Sequence, residues 1–322
     1  AGSNPITELH FQGANSLKKI VISFNSLENL DMSELTNLEE IDLSNGQLKS
    51  VVFGEHLKLN QINLNNNPTL HGLNLTGMVE LKNLDASICG LKDVNIQNLP
   101  NLENLSIQNN QLTELDLTGI VNLKIFNCSN NNLKSLRVNH LKQMNQLDCS
   151  YNKITELDLM NMGWNLNYVN CNDNLLQKLM VNNTILYFLE ASNNFLEVLD
   201  VSWQKGLSYL NLKNNKLVHL NLQNSYSNLP SNDGLDLSGN PNLSFICTDD
   251  FVVNAYKMYL SNANIQNVKV SEKCYFKPLI TPNPVYENFQ LTSMRQMKTV
   301  RIYNLNGTLI HESHPWSYQA DF

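Results

Sequence analysis

Charge is scarce in this chain. Only 16% of its 322 residues are Asp, Glu, Lys or Arg, and 22 basic residues face 29 acidic ones, for a net charge of −7. Neutralising a nucleic-acid backbone takes clustered Lys and Arg, so nucleic acid is excluded as a partner. Long apolar runs are missing as well; no window of about 18 apolar residues is present to span a bilayer as a helix, and the chain is not expected to be transmembrane. No secretory leader stands at the first residue, an absence that a mature secreted chain would share. Catalytic signatures are also absent: there is no GxSxG, HExxH, P-loop or CxxC. Seven histidines (His10, His56, His71, His140, His219, His311 and His314) are scattered, and the close pair at 311 and 314 has no acidic neighbour at ligand spacing. The chain is therefore not expected to be an enzyme, and no cofactor or metal is expected.

Leu and Asn dominate what remains, and they recur. The stretch Leu102-Glu-Asn-Leu105-Ser-Ile107-Gln-Asn-Asn110-Gln-Leu112-Thr-Glu-Leu115-Asp-Leu117 is followed by Leu123, Phe126, Cys128, Asn131, Leu133, Leu136 and Val138, then by Met144, Leu147, Cys149, Asn152, Ile154, Leu157 and Leu159. The pattern is LxxLxLxxNxLxxLxL plus about five variable residues. It restarts at Leu17, Leu38, Leu59, Leu81, Leu102, Leu123, Met144, Leu166, Leu186 and Leu207, in steps of 20 to 22 residues, with an eleventh irregular turn carrying Leu235, Leu237 and Asn240. Ile6, Leu9 and Phe11 match a second half-repeat, so the visible chain starts inside a repeat without an N-terminal cap, as though an upstream part had been removed.

A single repeat of this size cannot bury its own leucines, whereas stacked repeats bury them in one column. Strand alternation turns the two apolar residues of LxL inward and their neighbours outward. The ninth-position asparagines (Asn25, Asn67, Asn110, Asn131, Asn152, Asn174, Asn194, Asn215 and Asn240) are expected inside, where their amides satisfy backbone groups of adjoining turns. Gly46 and Cys89 break that row, so those two turns should be weaker or differently bonded.

The pattern resembles the leucine-rich-repeat family over residues 4 to 246, and most of all its short 21-residue bacterial class (IRREKO-like), whose second half reads LxxLDL, as in Leu112, Leu115-Asp116-Leu117 and Ile154, Leu157-Asp158-Leu159. The resemblance implies a mainly β, right-handed solenoid with a parallel concave sheet and few helices. The expected organisation is a solenoid over 1–246, a C-terminal cap over 247–277, and a linker with an incomplete β-sandwich-like module over 278–322.

Cys128, Cys149 and Cys171 fall at the same inward position of successive turns. No histidine accompanies them, so they read as small buried hydrophobes rather than metal ligands. Cys247 and Cys274 bracket a short helical pattern that starts at Thr248-Asp249-Asp250 and runs through Phe251, Val252, Ala255, Met258 and Tyr259. A disulfide between them would pin this helix over the end of the solenoid. Pro278, Pro282 and Pro284 mark a linker. Asn288–Thr292 and Val300–Leu305 read as strands, with Asn306-Gly307 turning the second into Thr308–His311. Thr281-Pro-Asn-Pro-Val285 together with Val300-Arg-Ile-Tyr-Asn-Leu-Asn-Gly307 resembles the C-terminal sorting domain of type IX-secreted Bacteroidetes proteins. That resemblance implies export to the outer cell surface or the medium.

The outward positions beside the inward column line the concave sheet. Over the first two-thirds they are small, polar and mildly acidic. Tyr168, Phe188 and Tyr209 then share one column on consecutive turns, with Tyr187 and Tyr151 near them and Glu190 and Lys213 beside. Exposed aromatics on a polar face bring large contact area at low entropy cost, so these seven residues are the candidate ligand-binding set. Trp164 and Trp203 fall in variable segments on the outer side and are expected to pack between turns. Asp116, Asp158 and Asp200 recur at the LDL position, but Arg137 and Met180 interrupt the row, which argues against a calcium ladder. The chain thus reads as a secreted or cell-surface recognition protein, expected to act as a monomer, with an extracellular protein or glycan on its concave face. Sugar rings pack on aromatic faces, which favours a glycan slightly. The other reading is a non-catalytic adhesion spacer that projects an upstream domain.

Overall fold

The computed structural model describes residues 6–54, 58–160, 162–181, 185–224 and 234–273, and beyond these the backbone of five strands between 279 and 321. Eleven short parallel strands stack into one sheet: Lys19–Val21, Glu40–Asp42, Gln61–Asn63, Asn83–Asp85, Asn104–Ser106, Ile125–Asn127, Gln146–Asp148, Tyr168–Asn170, Phe188–Glu190, Tyr209–Asn211 and Leu235–Asp236. Each turn of the repeat contributes one of them, in an unbroken register in which Leu105 faces Phe126 and Phe126 faces Leu147. The middle residue of each three-residue strand is buried and its neighbours are more open, as the period-two rule requires.

A second set of strands lies on the opposite side, formed by the LxL of each second half. Here Asn29–Asp31 pairs with Ser50–Val52, Gly72–Asn74 with Asp93–Asn95, and Glu156–Asp158 with Lys178–Met180. Val198–Asp200, His219–Asn221, Phe245–Cys247 and Lys269–Ser271 form a further four-stranded sheet. The back sheet thus runs on past residue 246 into the cap. The back layer is not one sheet: it breaks between Ser50–Val52 and Gly72–Asn74, between Lys178–Met180 and Val198–Asp200, and most widely in the middle, where residues 114–116 and 135–137 form no strand. Between the two layers lies a continuous column of side chains, with Leu43, Leu64, Ile107, Leu133, Leu147 and Leu212 fully buried. Each such leucine contributes about 1.5–3 kcal/mol by leaving water. No helix occurs among the described residues of 6–246, as expected for turns this short.

The asparagine row is inside. Asn131 is typical: its Nδ2 donates to the carbonyls of Ile107 (3.0 Å), one turn back, and Cys128 (3.1 Å) in its own turn, while its Oδ1 accepts the Leu112 N–H at 3.0 Å. One buried carboxamide therefore satisfies three backbone groups on two turns. The two interruptions are bonded differently. At Cys89 the thiol donates to the Leu64 carbonyl at 3.1 Å, in place of the missing amide. At Gly46 a Cβ would meet the Asn67 and Asn25 side-chain oxygens at 2.6 and 2.9 Å, and the Leu27 N–H is taken by Asn25 itself at 3.0 Å.

The residue before each ladder position adopts a left-handed backbone. Asn45, Asn66, Asn109, Asn130, Asn193 and Asn214 all have φ between 52° and 59°. Asparagine tolerates this region because its short polar side chain bonds locally. Asn66, Asn130 and Asn214 each donate to the equivalent asparagine one turn back, at 2.6–3.0 Å. Phe24, Ile88 and Tyr151 hold the same conformation without that compensation.

After the solenoid, a 3-10 turn over Asp250–Val252 leads into the helix Val253–Asn262. Its buried face is Tyr256 and Leu260; Phe251 and Met258, expected on that face, are about two-thirds exposed. The Tyr259 hydroxyl accepts the Leu237 N–H at 3.0 Å, which seats the helix on the last turn. Trp164 and Trp203 are also exposed, at 72% and 56%, so they do not pack between turns as expected. Cys247 is disulfide-bonded; Cys274, its expected partner, lies outside the described residues. Further on, Leu279–Thr281, Gln290–Met297 and Ser317–Asp321 form one antiparallel sheet. Val300–Tyr303 pairs antiparallel with Leu309–Ser313, where the sequence predicts a hairpin; its Asn306-Gly307 turn lies outside the described residues. Among the described residues no helix is long and apolar enough to cross a membrane.

Replacing Asn131 by Ala leaves the Leu112 N–H buried without a partner and takes one of two amide donors from each of the Ile107 and Cys128 carbonyls, which keep those of Asn110 and Asn152. It is expected to cost about 2 kcal/mol in urea unfolding. Cys89→Ala removes one weak thiol bond and should cost less than half of that. Ile88→Asn relieves a β-branched residue of its left-handed backbone, and a gain of about 1 kcal/mol is expected, read as a rise in Tm.

Candidate functional site on the concave face

The outward residues of the main sheet differ sharply along its length. From Lys19 to Asn104 the first residue of each strand is charged or an amide. From Tyr168 the same position is aromatic on three successive turns, because the register sets Tyr168 against Phe188 and Phe188 against Tyr209. The rings stack face to face. Their centroids are 4.6 Å apart at 10° for Tyr168 and Phe188, and 4.3 Å apart at 3° for Phe188 and Tyr209. These separations match the spacing of about 4.8 Å between paired strands, so the sheet itself sets the stack. All three side chains are half-buried.

Glu190 anchors the column. It is buried; its Oε2 accepts the Tyr209 hydroxyl at 3.1 Å and the Asn211 amide at 3.0 Å, and its Oε1 accepts the Ser192 N–H at 3.2 Å. Burial, followed by the charge of Glu190, pushes the Tyr209 hydroxyl above the ordinary phenol range. Burial and then the charges of Asp148 and Glu190 do the same to Tyr168. Lys213 is exposed on the same side, two residues beyond Asn211, whose side chain accepts its N–H at 3.0 Å.

Two candidate aromatics lie on the flanks. Tyr187 precedes its strand and is half exposed; its ring lies close over Gly206, where a Cβ would meet Cε1 at 2.6 Å. Tyr151 follows its strand, in the left-handed turn position, and is 56% exposed. Three further residues share that side: Leu175 and Phe195 are exposed, and the Lys216 ammonium stands 4.6 Å from the Phe195 ring centre. They share one position on three consecutive turns, directly after the ladder asparagine, a row the sequence reading passed over.

The third residue of each strand has a structural task that its type could have disclosed. Asp42, Asn63, Asp85, Asn127, Asp148, Asn170, Asn211 and Asp236 each accept the N–H two residues on, at 2.9–3.3 Å, closing an Asx turn where the chain leaves the sheet. The LDL aspartates do the same on the other side. Asp116, Asp158 and Asp200 accept the N–H groups of Thr118, Met160 and Ser202 at 2.8–2.9 Å, and the Thr118 hydroxyl holds the Asp116 carboxyl below its usual range. Turn closure accounts for that row.

Cys128, Cys149 and Cys171 are free and fully buried on successive turns. Burial raises all three thiols well above their ordinary range, and that of Cys89 to about 11. Thiols so desolvated are poor nucleophiles and packing groups.

No protein-family model and no curated protein matches this chain. Solved structures do. The functional domain of InlJ from Listeria monocytogenes, described as including a cysteine ladder, is similar over 98% of this chain and 78% of its own, at 20% identity and a TM-score of 0.52. The fold is a leucine-rich-repeat solenoid. The internalin InlF of Listeria monocytogenes strain 4b F2365 matches over 85% of this solenoid chain and 79% of its own, at 20% identity and a TM-score of 0.52. Toll, in its complex with Spätzle from Drosophila, matches over 74% of this chain and 38% of its own, at 23% identity and a TM-score of 0.56.

In a spectrophotometric pH titration, the difference between the native protein and Tyr209→Phe isolates Tyr209. It should ionise above the ordinary phenol range, and Glu190→Gln should bring that transition down, because a negative neighbour and its hydrogen bond both favour the protonated phenol.

Proposed function

We propose that this chain is a non-catalytic recognition protein that acts outside the cytoplasm and binds a protein partner on the C-terminal third of its concave face. The observation that carries this reading is the stack of Tyr168, Phe188 and Tyr209, raised on a mainly polar sheet and fixed by Glu190. Ordered, half-exposed aromatics lose little freedom on binding and dominate interface energetics. Stacking also bears on the class of partner. Phe188 has both ring faces covered by its neighbours, so the column offers mainly ring edges and hydroxyls. Sugar recognition uses open faces; a rim of edges suits the side chains of a protein surface. Toll, one of the similar folds, is seen in complex with Spätzle.

Placement outside the cytoplasm is supported by the disulfide at Cys247, since such bonds persist in oxidising compartments. Export through a type IX sorting domain accords with the strand Val300–Tyr303, which carries four of the resembling residues and pairs antiparallel with Leu309–Ser313. Complete burial supports a purely structural part for the row Cys128, Cys149 and Cys171.

An array of extracellular proteins and glycans, probed with the native chain and with the triple variant Tyr168→Ala, Phe188→Ala, Tyr209→Ala, tests the proposal. Circular dichroism verifies that the variant is folded. Protein hits that weaken about a hundredfold in the variant, roughly 2.7 kcal/mol, are expected. Glycan hits alone, or protein hits indifferent to the variant, overturn the reading; the absence of any hit returns the chain to the role of a spacer.

A further inference from the structure

The carboxylates of the main sheet fall into two groups. Some are neutralised by a lysine one turn away: Glu39 by Lys18, Glu40 by Lys19 and Glu103 by Lys124. Asp148, Glu190 and Asp236, at the last strand position of the turn before the aromatic stack, of its middle turn and of the turn after it, form no ion pair among the described residues. Glu190 is buried there, and Asp148 and Asp236 are half-buried.

Their neighbours in that row are amides, and the order is strict: Asp148, Asn170, Glu190, Asn211, Asp236. Asn170 donates to Asp148 at 3.3 Å and Asn211 to Glu190 at 3.0 Å. Alternation keeps the three charges two turns apart and gives two of them an amide donor, while Asp236 accepts the Ser238 N–H, but it brings no positive charge. Lys213 is the one cation among the outward positions of these five turns, and it pairs with none of the three. The segment 225–233 that precedes the last strand holds no Lys or Arg in its sequence. A weakly solvated negative row thus runs alongside the aromatic column. The tyrosine hydroxyls register it: burial first, and then these carboxylates, raise both above the ordinary phenol range. Asp42 and Asp85 continue the row toward the N-terminus and also form no ion pair among the described residues, but no aromatic column accompanies them.

We propose that the protein partner presents a cationic segment, with Arg or Lys side chains laid along Asp148, Glu190 and Asp236 while its apolar groups meet the edges of Tyr168, Phe188 and Tyr209. This rests on the reading of the aromatic column as the binding site. Unpaired carboxylates at low exposure are costly in the free protein and gain most from a partner's positive charge. The carboxylates are already held in place by turn N–H groups and amides, so little ordering is needed when the cation arrives.

A random dodecapeptide library displayed on phage tests the proposal, selected on the native chain and depleted on the triple aromatic variant. Selected peptides, synthesised and measured by calorimetry, are expected to be enriched in Arg and Lys over the starting library and to weaken several-fold between 50 and 500 mM NaCl. They should also lose about tenfold in affinity to Glu190→Gln and to the double variant Asp148→Asn, Asp236→Asn, which spares Glu190 and its bond to Tyr209. Peptides that need the aromatics, show no enrichment in cations and bind both amide variants as tightly as the native chain overturn the cationic partner and leave the aromatic site standing. Failure to select any peptide sensitive to the triple variant overturns the aromatic site, and this proposal with it.

Discussion

The structure depends on one requirement: every backbone group turned toward the interior must find a partner. Each turn of the solenoid is too short to satisfy itself, and between the front strand and the back half the chain changes direction, leaving carbonyls and N–H groups that no ladder reaches. The buried asparagine meets this need with one side chain, two carbonyls and one N–H at a time, and in doing so ties each turn to the one before it. The leucine column supplies most of the driving force, but leucine is indifferent to register. The amide, which works only at hydrogen-bonding distance, sets the pitch. Where it is absent, a cysteine thiol or a neighbouring asparagine takes up the slack.

Pitch in turn shapes the surface. Side chains at equivalent positions are held one strand spacing apart, so a row of identical chemistry becomes a continuous structure. Three aromatics become a stack because the spacing is that of stacked rings. Asparagines in the left-handed turn become a chain of amide bonds. Carboxylates in the same arrangement would repel one another, and near the stack they alternate with amides. In this architecture one substitution is felt by two neighbours, and patterns along a column matter more than single residues.

Much of this was legible in the sequence. The 21-residue period, the inward LxL pair and the asparagine row followed from Leu and Asn positions alone, because burial and backbone satisfaction leave few alternatives for such a repeat. The column of Tyr168, Phe188 and Tyr209 was legible for the same reason. The stacking itself was not, since ring orientation depends on side-chain torsions that a pattern does not encode. The outward Asp and Asn of each strand were read as plain surface, although their turn-closing task could have been suspected from the Ser that follows most of them by two residues. The cap helix was read in part: Val252 and Tyr259 pack against the core, Phe251 and Met258 face solvent, and Tyr256 and Leu260 carry the buried face, because several helical rows keep equally good spacing and only the shape of the last turn decides between them. The strain at Phe24, Ile88 and Tyr151 was hidden because the left-handed turn is a property of the repeat and not of those residues.

The interrupted back sheet bears on the molecule as a mechanical object. In front, eleven strands run without a break. Behind, the strands stop after Asp93–Asn95 and resume at Glu156–Asp158. Next to the gap, residues 92–97 and 112–117 are joined backbone to backbone only near their ends, through Gln111 N–H to the Leu91 carbonyl and Asn98 N–H to the Thr118 carbonyl, each 2.8 Å. A beam resists bending least where a flange is cut. The back layer is cut in three places, between Val52 and Gly72, between Asn95 and Glu156, and between Met180 and Val198, the middle gap being the longest. The unbroken front sheet is therefore the flange that carries the curvature of the whole stack, and the aromatic column stands on that flange.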